Sequence, residues 1–489
     1  MPAAAPRAIR ILRSDTDGAA VAALVGRSSA RNAEVERTVA DIVSRVRRGG
    51  DRALLAFAKK FDGLDGPIEV TRAEMRAAAR QVPPPVKRAI RLAAGNIRTV
   101  ARKQVPRSWS VSPVAGLRIT QRVTPLDRVG CYVPGGRYPL PSSLLMTSIP
   151  AIAAGVREVF AVCPRPDPTV MFAALEAGIT RLFRVGGAQA VAALAYGTDS
   201  IPRVDKIVGP GNAYVAAAKA LVAADCAIDF FAGPSEIAVV SSNGVAEWIA
   251  ADLIAQAEHD PDARAILFTP SSRLARDVEA EIVRQLPATG PAAAALKSNG
   301  GIVLSRSLAE SIALCQRLAP EHAVCDNDAV AARLTRAGTV FVGALSAQAC
   351  GDYVTGSNHV LPTSGAASAR GGLSAADFVR VSSIQHIGRR ALARIGPAAV
   401  ALAEAEGLTG HAESVRVRLK TPVASGVSRK SSAGGSLPPK GGSHTNRAFV
   451  ASGFSRKSTA GGSLPSKGGS HTNRAFVASG FSRKGARTR

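Results

Sequence analysis

The stretch from Leu182 to Lys219, LFRVGGAQAVAALAYGTDSIPRVDKIVGPGNAYVAAAK, alternates two kinds of segment. Short apolar runs rich in β-branched residues end in glycine loops, and an alanine-rich run of helical character follows each loop. A strand followed by a helix and then by another strand is the pattern of βαβ units, which build parallel sheets. This stretch therefore predicts an α/β fold.

The same alternation extends on both sides of this stretch. From about 126 to 240 it includes the apolar run Val156–Pro164, VREVFAVCP. A second series continues to about residue 343, with predicted strands at Ile237–Ser241, Ala265–Thr269, Gly301–Leu304 and Thr339–Val342. We therefore expect two α/β units with parallel sheets, side by side.

The flanking regions have a different pattern. Residues 1–125 are predicted to be helical, with one helix over 35–60 that is broken at Gly49-Gly50 and another over 72–103 that is interrupted at Pro83-Pro84-Pro85. Residues 374–420 are predicted to form helices and turns. The expected segments are the helical 1–125, a first α/β unit at 126–236, a second at 237–373, the helical 374–420 and a tail at 421–489.

The tail accounts for much of the basic character of the chain. The formal net charge is +26, but 12 of the 62 lysines and arginines lie in 421–489, where no acid is found. A unit of 27 residues begins at Ser428 and recurs at Ser455. It is rich in Gly, Ser and Lys and has few apolar residues, which predicts disorder; a basic tail that binds a partner is the alternative. The body has no basic stripe interleaved with aromatics, so nucleic-acid binding is not the expected main function.

Cysteine usage and hydropathy bear on the cellular compartment. The six cysteines are scattered without CxxC spacing, which favours reduced and mostly buried thiols over a disulfide framework. No apolar run reaches membrane-spanning length, and the first residues lack the apolar core of a secretory signal. We therefore expect a cytoplasmic protein.

Gln256 and His259 are candidates for metal binding. They lie three residues apart in AADLIAQAEHDPDA, an apolar-periodic run that predicts a helix. This spacing places both side chains on one helix face, and Glu258 and Asp260 add negative charge that would favour a cation. A Gln/His pair on the surface near a helix end is the simpler interpretation.

Three further pairs carry polar chemistry. Asp352 and His359 lie in the loop-like GDYVTGSNHVLPT, where a hydrogen-bonded turn is the alternative to a functional loop. Glu321 and His322 are adjacent, as general acid–base catalysis near neutral pH requires, although such pairs also occur by chance. The third pair, Glu406 and His411, flanks a predicted helix break, where a capping role is the alternative.

The glycine loops depart from the usual dinucleotide-binding pattern. The loop Gly209–Tyr214, GPGNAY, has the first two glycines of G-x-G-x-x-G but tyrosine in place of the third. The loop Gly186–Gln189, GGAQ, also fails the pattern. Dinucleotide binding is therefore one possibility, and binding of another anion at a helix N-terminus is a second.

Taken in order, these segments resemble the histidinol dehydrogenase family over nearly all of the first 420 residues. The N-terminal RRGGDRALLAFAKKFDG (47–63) is similar as well. The nine segments that carry the resemblance are RVGCYVPGGRYPLPSS (128–143), RVGGAQAVAALAYGT (184–198), KIVGPGNAYVAAAK (206–219), FAGPSEIAVV (231–240), QAEHDPDA (256–263), APEHAV (319–324), GDYVTGSNHVLPT (351–363), RGGLSAADF (370–378) and EGLTGHAESVR (406–416).

The resemblance implies a fold and a site. The fold is α/β, with two incomplete Rossmann-like parallel-sheet units, an NAD-binding unit at 126–236 and a catalytic zinc unit at 237–373. The helical segment 374–420 is exchanged within an intertwined homodimer, so that Glu406 and His411 serve the neighbouring subunit. The implied Zn²⁺ ligands are Gln256, His259, Asp352 and His411. The implied NAD contacts are Tyr132, Gln189 and Asn212. The implied substrate contacts are Ser235, Gln256, His259, His322, Asp352, His359, Glu406 and His411.

The resemblance also implies a reaction. L-histidinol is oxidised through histidinal to L-histidine at one site, with water and two NAD⁺ consumed. His322 takes the hydroxyl proton as the first hydride leaves, and Glu321 activates the water that hydrates the aldehyde. Oxidation of another small alcohol, such as a dihydroxypropane sulfonate, on the same scaffold is the alternative.

Overall fold

The computed structural model describes residues 8–26, 32–135, 138–230 and 233–420. The repeated tail from residue 421, for which the sequence predicts disorder, lies outside the described residues. The strands are β1 (Ile11–Arg13), β2 (Glu69–Val70), β3 (Trp109–Val111), β4 (Leu117–Pro125), β5 (Arg128–Tyr132), β6 (Glu158–Val162), β7 (Arg181–Phe183), β8 (Lys206–Val208), β9 (Ala227–Ile228), β10 (Glu236–Val240), β11 (Arg264–Thr269), β12 (Gly301–Leu304), β13 (His322–Cys325), β14 (Thr339–Val342) and β15 (Val379–Ile387).

Helices connect most of these strands. They are α1 (Gly18–Val25), α2 (Ala33–Phe57), α3 (Arg72–Gln81), α4 (Pro84–Gln104), α5 (Pro141–Ala153), α6 (Pro168–Ala177), α7 (Gly187–Tyr196), α8 (Ala213–Val222), α9 (Ala246–Ala257), α10 (Ser272–Gln285), α11 (Ala292–Asn299), α12 (Leu308–Leu318), α13 (Asp328–Ala331), α14 (Gln348–Tyr353), α15 (Arg389–Ala405) and α16 (Thr409–Lys420). A π-helical turn, Ala58–Asp62, continues α2, and the turns Ala366–Ser368 and Ala375–Phe378 are 3₁₀ helices.

The first sheet has the order β2-β7-β6-β5-β8-β9. Its strands run parallel except β2, which pairs antiparallel with β7. β6 and β7 extend from β5 on one side and β8 and β9 on the other, so the strand order reverses between β5 and β8. In open α/β sheets such a reversal point opens a crevice beyond the carboxyl ends of the strands, where ligands bind.

The second sheet has the order β1-β12-β11-β10-β13-β14, and all of its strand pairs are parallel. Every residue of β10 and β11 is buried, as expected for central strands covered by helices on both faces. The prediction of a mixed α/β fold with parallel sheets is therefore confirmed.

A third sheet corrects the prediction that residues 1–125 are helical and that 374–420 form helices and turns. β3, β4 and β15 form an antiparallel sheet of order β15-β4-β3, in which β15 pairs with β4 from Val379↔Pro125 to Ile387↔Leu117. This pairing joins segments more than 250 residues apart, and its polar, half-exposed strands leave no clear local period.

The prediction that the N-terminal segment is helical is wrong for its first strand and confirmed for its long helices. Residues 11–13 are a strand, not a helix, and β1 extends the second sheet by pairing with β12. The helical predictions over 35–60 and 72–103 are confirmed by α2, α3 and α4. α2 is kinked at Gly50, whose φ of 52° is left-handed, and a proline-led start separates α4 from α3. Within the described residues, no helix is both long and apolar enough to cross a bilayer.

Candidate active site

The predicted acid–base pair lies at the amino edge of the second sheet. His322 is the first residue of β13, and Glu321 immediately precedes it. β10 lies beside β13 in the sheet, with Ser235 just before its first residue, Glu236. Parallel pairing therefore brings Ser235, Glu321 and His322 to one edge, although Ser235 lies more than 80 residues before the other two in sequence.

Hydrogen bonding sets the orientation of His322. Its Nδ1 lies 3.2 Å from the carbonyl oxygen of Glu236, so Nδ1 carries the proton and donates to that carbonyl. Nε2 then has a free lone pair, 3.7 Å from Oδ1 of Asp352. Burial lowers the pKa of His322 to about 4; Asp352 opposes this shift, and the nearby His359 and His259 add to it. The imidazole is therefore neutral at neutral pH and able to accept a proton.

Glu321 is almost completely buried beside His322. Its Oε2 accepts a hydrogen bond from the backbone N–H of Glu236 at 3.0 Å and lies 3.8 Å from His322 Nδ1. Burial raises the pKa of the Glu321 carboxyl well above its ordinary value, and the neighbouring carboxyls of Glu236 and Asp352 raise it further. A buried carboxyl with a raised pKa beside a neutral histidine is typical of acid–base sites.

Asp352 and His359 belong to the same cluster. Asp352 lies in helix α14, which corrects the prediction that 351–363 is loop throughout. The carbonyl oxygen of Asp352 lies 2.8 Å from Nδ1 of His359 and accepts its hydrogen bond. Burial lowers the pKa of His359, and His259 lowers it further. Five candidate residues, namely Glu321, His322, Asp352, His359 and His259, are thus close enough to influence one another electrostatically.

Gln256 is the most unusual member of the predicted metal set. It is completely buried in the last turn of α9, which corrects the interpretation of Gln256 and His259 as a surface pair. In the part of the chain that the structure describes, neither its Nε2 nor its Oε1 has a hydrogen-bond partner, and a buried, unpaired polar group costs about 1–3 kcal/mol. His259 lies just past the end of α9 and is exposed.

The residues present fit a metal ion. A cation would give Gln256 Oε1 the partner that it lacks, and an amide oxygen, an imidazole and a carboxylate are donors that Zn²⁺ accepts in catalytic sites. Among the described residues, no group of three or more His, Cys, Asp or Glu side chains is arranged to hold a metal ion. Of the three proposed ligands Gln256, His259 and Asp352, only the last two are of these types. The fit to a metal ion therefore depends on the Gln256 amide as the third donor.

The structure does not bring Glu406 and His411 into this cluster. Glu406 caps the C-terminus of α15, and His411 lies in the first turn of α16; both are exposed. Within the part of the chain that is described, neither side chain forms a hydrogen bond or an ion pair. Whether these residues complete the site of a second subunit remains a prediction.

The predicted NAD contacts lie together at the carboxyl edge of the first sheet. Tyr132 ends β5, and its hydroxyl accepts a hydrogen bond from Gly187 N at 2.9 Å. Gln189 lies in the first turn of α7 and is 1% exposed. Asn212 caps α8, with Oδ1 accepting from Val215 N at 3.2 Å. These three side chains surround the point where the strand order reverses.

This edge fits a dinucleotide without the complete glycine pattern. Gly209 has φ of 119°, and a Cβ there would overlap the carbonyl oxygen of Tyr132, so only glycine allows the β8 loop to approach β5. Asp62, which the sequence analysis missed, accepts hydrogen bonds from Gly186 N at 3.0 Å and from Gln189 Nε2 at 3.1 Å. Burial raises the pKa of Asp62. Asp62 is the next-to-last residue of the segment 47–63, whose resemblance to the family was its only sequence signal.

Two side-chain contacts connect the edge of the second sheet that carries His322 with the edge of the first sheet that carries Tyr132. Asn358 donates from Nδ2 to the carbonyl oxygen of Met146 in α5 at 2.7 Å, and His359 Nε2 lies 3.5 Å from Ser143 Oγ at the start of α5. α5 follows β5, whose carboxyl end carries Tyr132. The carboxyl edge of the first sheet and the amino edge of the second are therefore parts of one region.

Comparison with known proteins agrees with this geometry. The family model "Histidinol dehydrogenase" matches residues 25–419. The chain is 46% identical to a histidinol dehydrogenase of Syntrophotalea carbinolica, over 83% of this chain and 98% of the relative, and 46% identical to one of Caulobacter vibrioides, over 84% and 99%. The chain belongs to the histidinol dehydrogenase family.

Structural similarity supports the same assignment. The crystal structure of histidinol dehydrogenase from Elizabethkingia anophelis superposes with a TM-score of 0.81 at 31% identity, and covers 85% of this chain and 99% of that one. Membership of the family makes the chain an oxidoreductase of histidine biosynthesis. The curated relatives are named histidinol dehydrogenases, which does not favour the sulfonate alternative.

Proposed function

We propose that this chain oxidises L-histidinol through histidinal to L-histidine, with Zn²⁺ and NAD, in a homodimer that shares its active sites. The proposal is supported above all by Gln256, whose completely buried amide has no hydrogen-bond partner among the described residues. Gln256 lies three residues before His259, which lowers the pKa of both His322 and His359. Proteins rarely bury an unpaired amide without a function for it.

The ligands we assign to the metal are Gln256, His259, Asp352 and the partner subunit's His411. The residues we assign to NAD are Tyr132, Gln189 and Asn212, at a reversal of strand order where nucleotides commonly bind. These residues would hold a Zn²⁺ that supplies Lewis-acid binding of the substrate, and an NAD⁺ that supplies the hydride acceptor for each of the two oxidations. The remaining substrate contacts are assigned to Ser235, His322, His359 and Glu406.

His322 is the proton acceptor in this mechanism. Its Nδ1–H is held by the Glu236 carbonyl, so Nε2 is the atom that takes the hydroxyl proton as the alcohol is oxidised. The neutral state that burial imposes on the ring is the state required for this role. The same nitrogen accepts the proton of the hydrated aldehyde in the second oxidation.

Glu321 activates the water that hydrates the aldehyde. Its raised pKa makes the ionised carboxylate a stronger base than an ordinary glutamate. The backbone N–H of Glu236 holds Oε2 in place. A closed site that performs both oxidations keeps the reactive aldehyde away from bulk water.

The homodimer is supported by exposed apolar side chains on the third sheet and the C-terminal helices. Trp109, Val111, Val381, Ile387 and Leu402 are each about half exposed or more, and contiguous apolar surface of this kind commonly marks an interface. Glu406 and His411 lie on the same C-terminal segment as Leu402. An exchanged C-terminal segment would cover this surface and bring both residues to the neighbouring site.

We also infer, from the sequence pattern and the strand-order reversals, that both sheets are incomplete Rossmann-like units with boundaries near residues 126, 237 and 374. The cytoplasmic location follows from the sequence composition alone. The chemistry proposed for Glu321 and His322 does not depend on the segment boundaries or on the cellular location.

The function is tested by NADH production from L-histidinol, followed at 340 nm. The purified enzyme should reduce two NAD⁺ for each histidinol, lose activity after treatment with a chelator and regain it when Zn²⁺ is added. The sulfonate substrate serves as the comparison. Negligible turnover of histidinol, or full activity in the metal-free protein, would contradict the proposal.

A further inference from the structure

The two carboxylate oxygens of Asp352 have different surroundings. Oδ2 accepts a hydrogen bond from Nε2 of Gln348 at 2.7 Å. Within the described residues Oδ1 has no such donor, and it faces the cluster, 3.7 Å from His322 Nε2. The carboxylate is therefore held by one oxygen and presents the other.

Gln348 lies close to two carboxyl groups, that of Asp352 through its side chain and that of Asp252 through its backbone. Its side chain is 1% exposed and lies in the first turn of α14, four residues before Asp352. Its backbone N–H lies close enough to the carboxyl of Asp252 to lower the pKa of that carboxyl, and Asp252 lies on α9 one turn before Gln256. One residue thus connects the helix that carries Gln256 to the helix that carries Asp352.

We propose that Gln348 is a positioning residue of the metal centre. Its Nε2–H occupies Oδ2 of Asp352, so that Oδ1 is the oxygen offered to the cation, and its backbone anchors α14 to α9. Hydrogen bonds to ligating carboxylates orient them, and their loss typically costs about 10–100-fold in metal affinity. This inference rests on the proposed function, because it requires Asp352 to be a ligand.

The test is the variant Gln348→Met. Methionine has a similar length and tolerates burial, but it cannot donate to Asp352. With zinc alone as the probe, competition against a chromophoric chelator should show affinity about 10–100-fold lower than in the parent enzyme. In the cobalt-substituted enzyme the visible absorption spectrum should also change, since it reports ligand geometry. Gln316→Met makes the same chemical change at α12, where Nε2 of Gln316 donates to Thr335 Oγ1, and should leave zinc affinity unchanged.

The melting temperature of the chelator-treated variant separates positioning from mere structural support. Lower melting temperature with parental zinc affinity and an unchanged cobalt spectrum would overturn the positioning role and leave the proposed function intact. Failure of the parent enzyme itself to bind zinc would overturn the metal centre and this role with it. If Gln348→Met does not fold, Gln348→Glu keeps the size of the side chain and replaces the donor by an acceptor. Its zinc affinity at pH 8 should fall as well, and parental affinity would contradict the proposal.

Discussion

At the scale of single residues, burial decides which of two interpretations of a short motif is correct. Gln256 and His259 are three residues apart, and the helical period alone fits both a metal site and an ordinary surface pair. The structure buries Gln256 completely, with no hydrogen-bond partner for its amide among the residues described, whereas His259 remains exposed. Local spacing contains no information about burial, because burial is decided by the elements that pack on the helix.

The role of His322 can be tested by the variant His322→Asn. Loss of the imidazole removes the proton acceptor, so kcat should fall by about 10²–10⁴-fold. His322 is not one of the proposed ligands, so zinc content measured by atomic emission should stay near the parental value. Turnover equal to that of the parent would show that another group takes the proton.

At the scale of elements, the site depends on how α9, α14 and β13 meet. Alternation in the sequence predicts strands and helices but not which edge of a sheet carries the chemistry. Ligands usually bind at the carboxyl ends of parallel strands, and the NAD contacts proposed for the first sheet, Tyr132 and Asn212, follow this rule. Glu321 and His322 instead lie at the amino edge of the second sheet, a placement that only the packing of the two sheets explains.

The contact between α9 and α14 leads to a pH prediction for Asp252→Asn. Burial raises the pKa of Asp252 to about 6. The unfolded value is lower, about 3.9, so the folded state disfavours the charged form. The resulting penalty is absent below about pH 4 and complete above about pH 6. Asparagine keeps an oxygen near the Gln348 N–H and carries no charge, so it avoids this penalty. The penalty on the free energy of unfolding is about 2 kcal/mol, because the site is partly exposed to solvent.

Thermal unfolding of the chelator-treated proteins provides the measurement. The stability of Asp252→Asn relative to the parent should increase from pH 4 to pH 6 and then level off. The matched control Asp277→Asn, at an exposed site on α10, should show a smaller dependence on pH. A difference between Asp252→Asn and the parent that is constant with pH would contradict the prediction.

At the scale of the whole molecule, Glu406 and His411 are the proposed site residues that this chain does not bring into the cluster. Both are exposed on the C-terminal helices, and the third sheet exposes apolar side chains as well. A second copy of the chain that supplies these residues would account for both observations. In that case, one complete site combines His259 of one subunit with His411 of the other.

Mixed dimers test this arrangement. Dimers made of one His259→Ala subunit and one His411→Ala subunit contain one intact site if the site is shared, because the two defects fall in the other site. Dimers purified through two different tags should therefore have about half the parental activity, although each variant alone is inactive. Mixed dimers of His259→Ala and Gln256→Ala, whose defects lie on the same side, should stay inactive. If the first mixture is also inactive, each site lies within one subunit.

The sequence by itself determined the alternation of strands and helices, the kink in α2 and the chemical types of the candidate residues, because these depend on neighbours within a few positions. Only the tertiary structure decided that β15 pairs with β4, that β1 joins the second sheet, and that Asp352 lies beside His322. These contacts join residues that are adjacent through strand pairing and helix packing, and the hydrophobic burial that drives such packing acts without regard to separation along the chain.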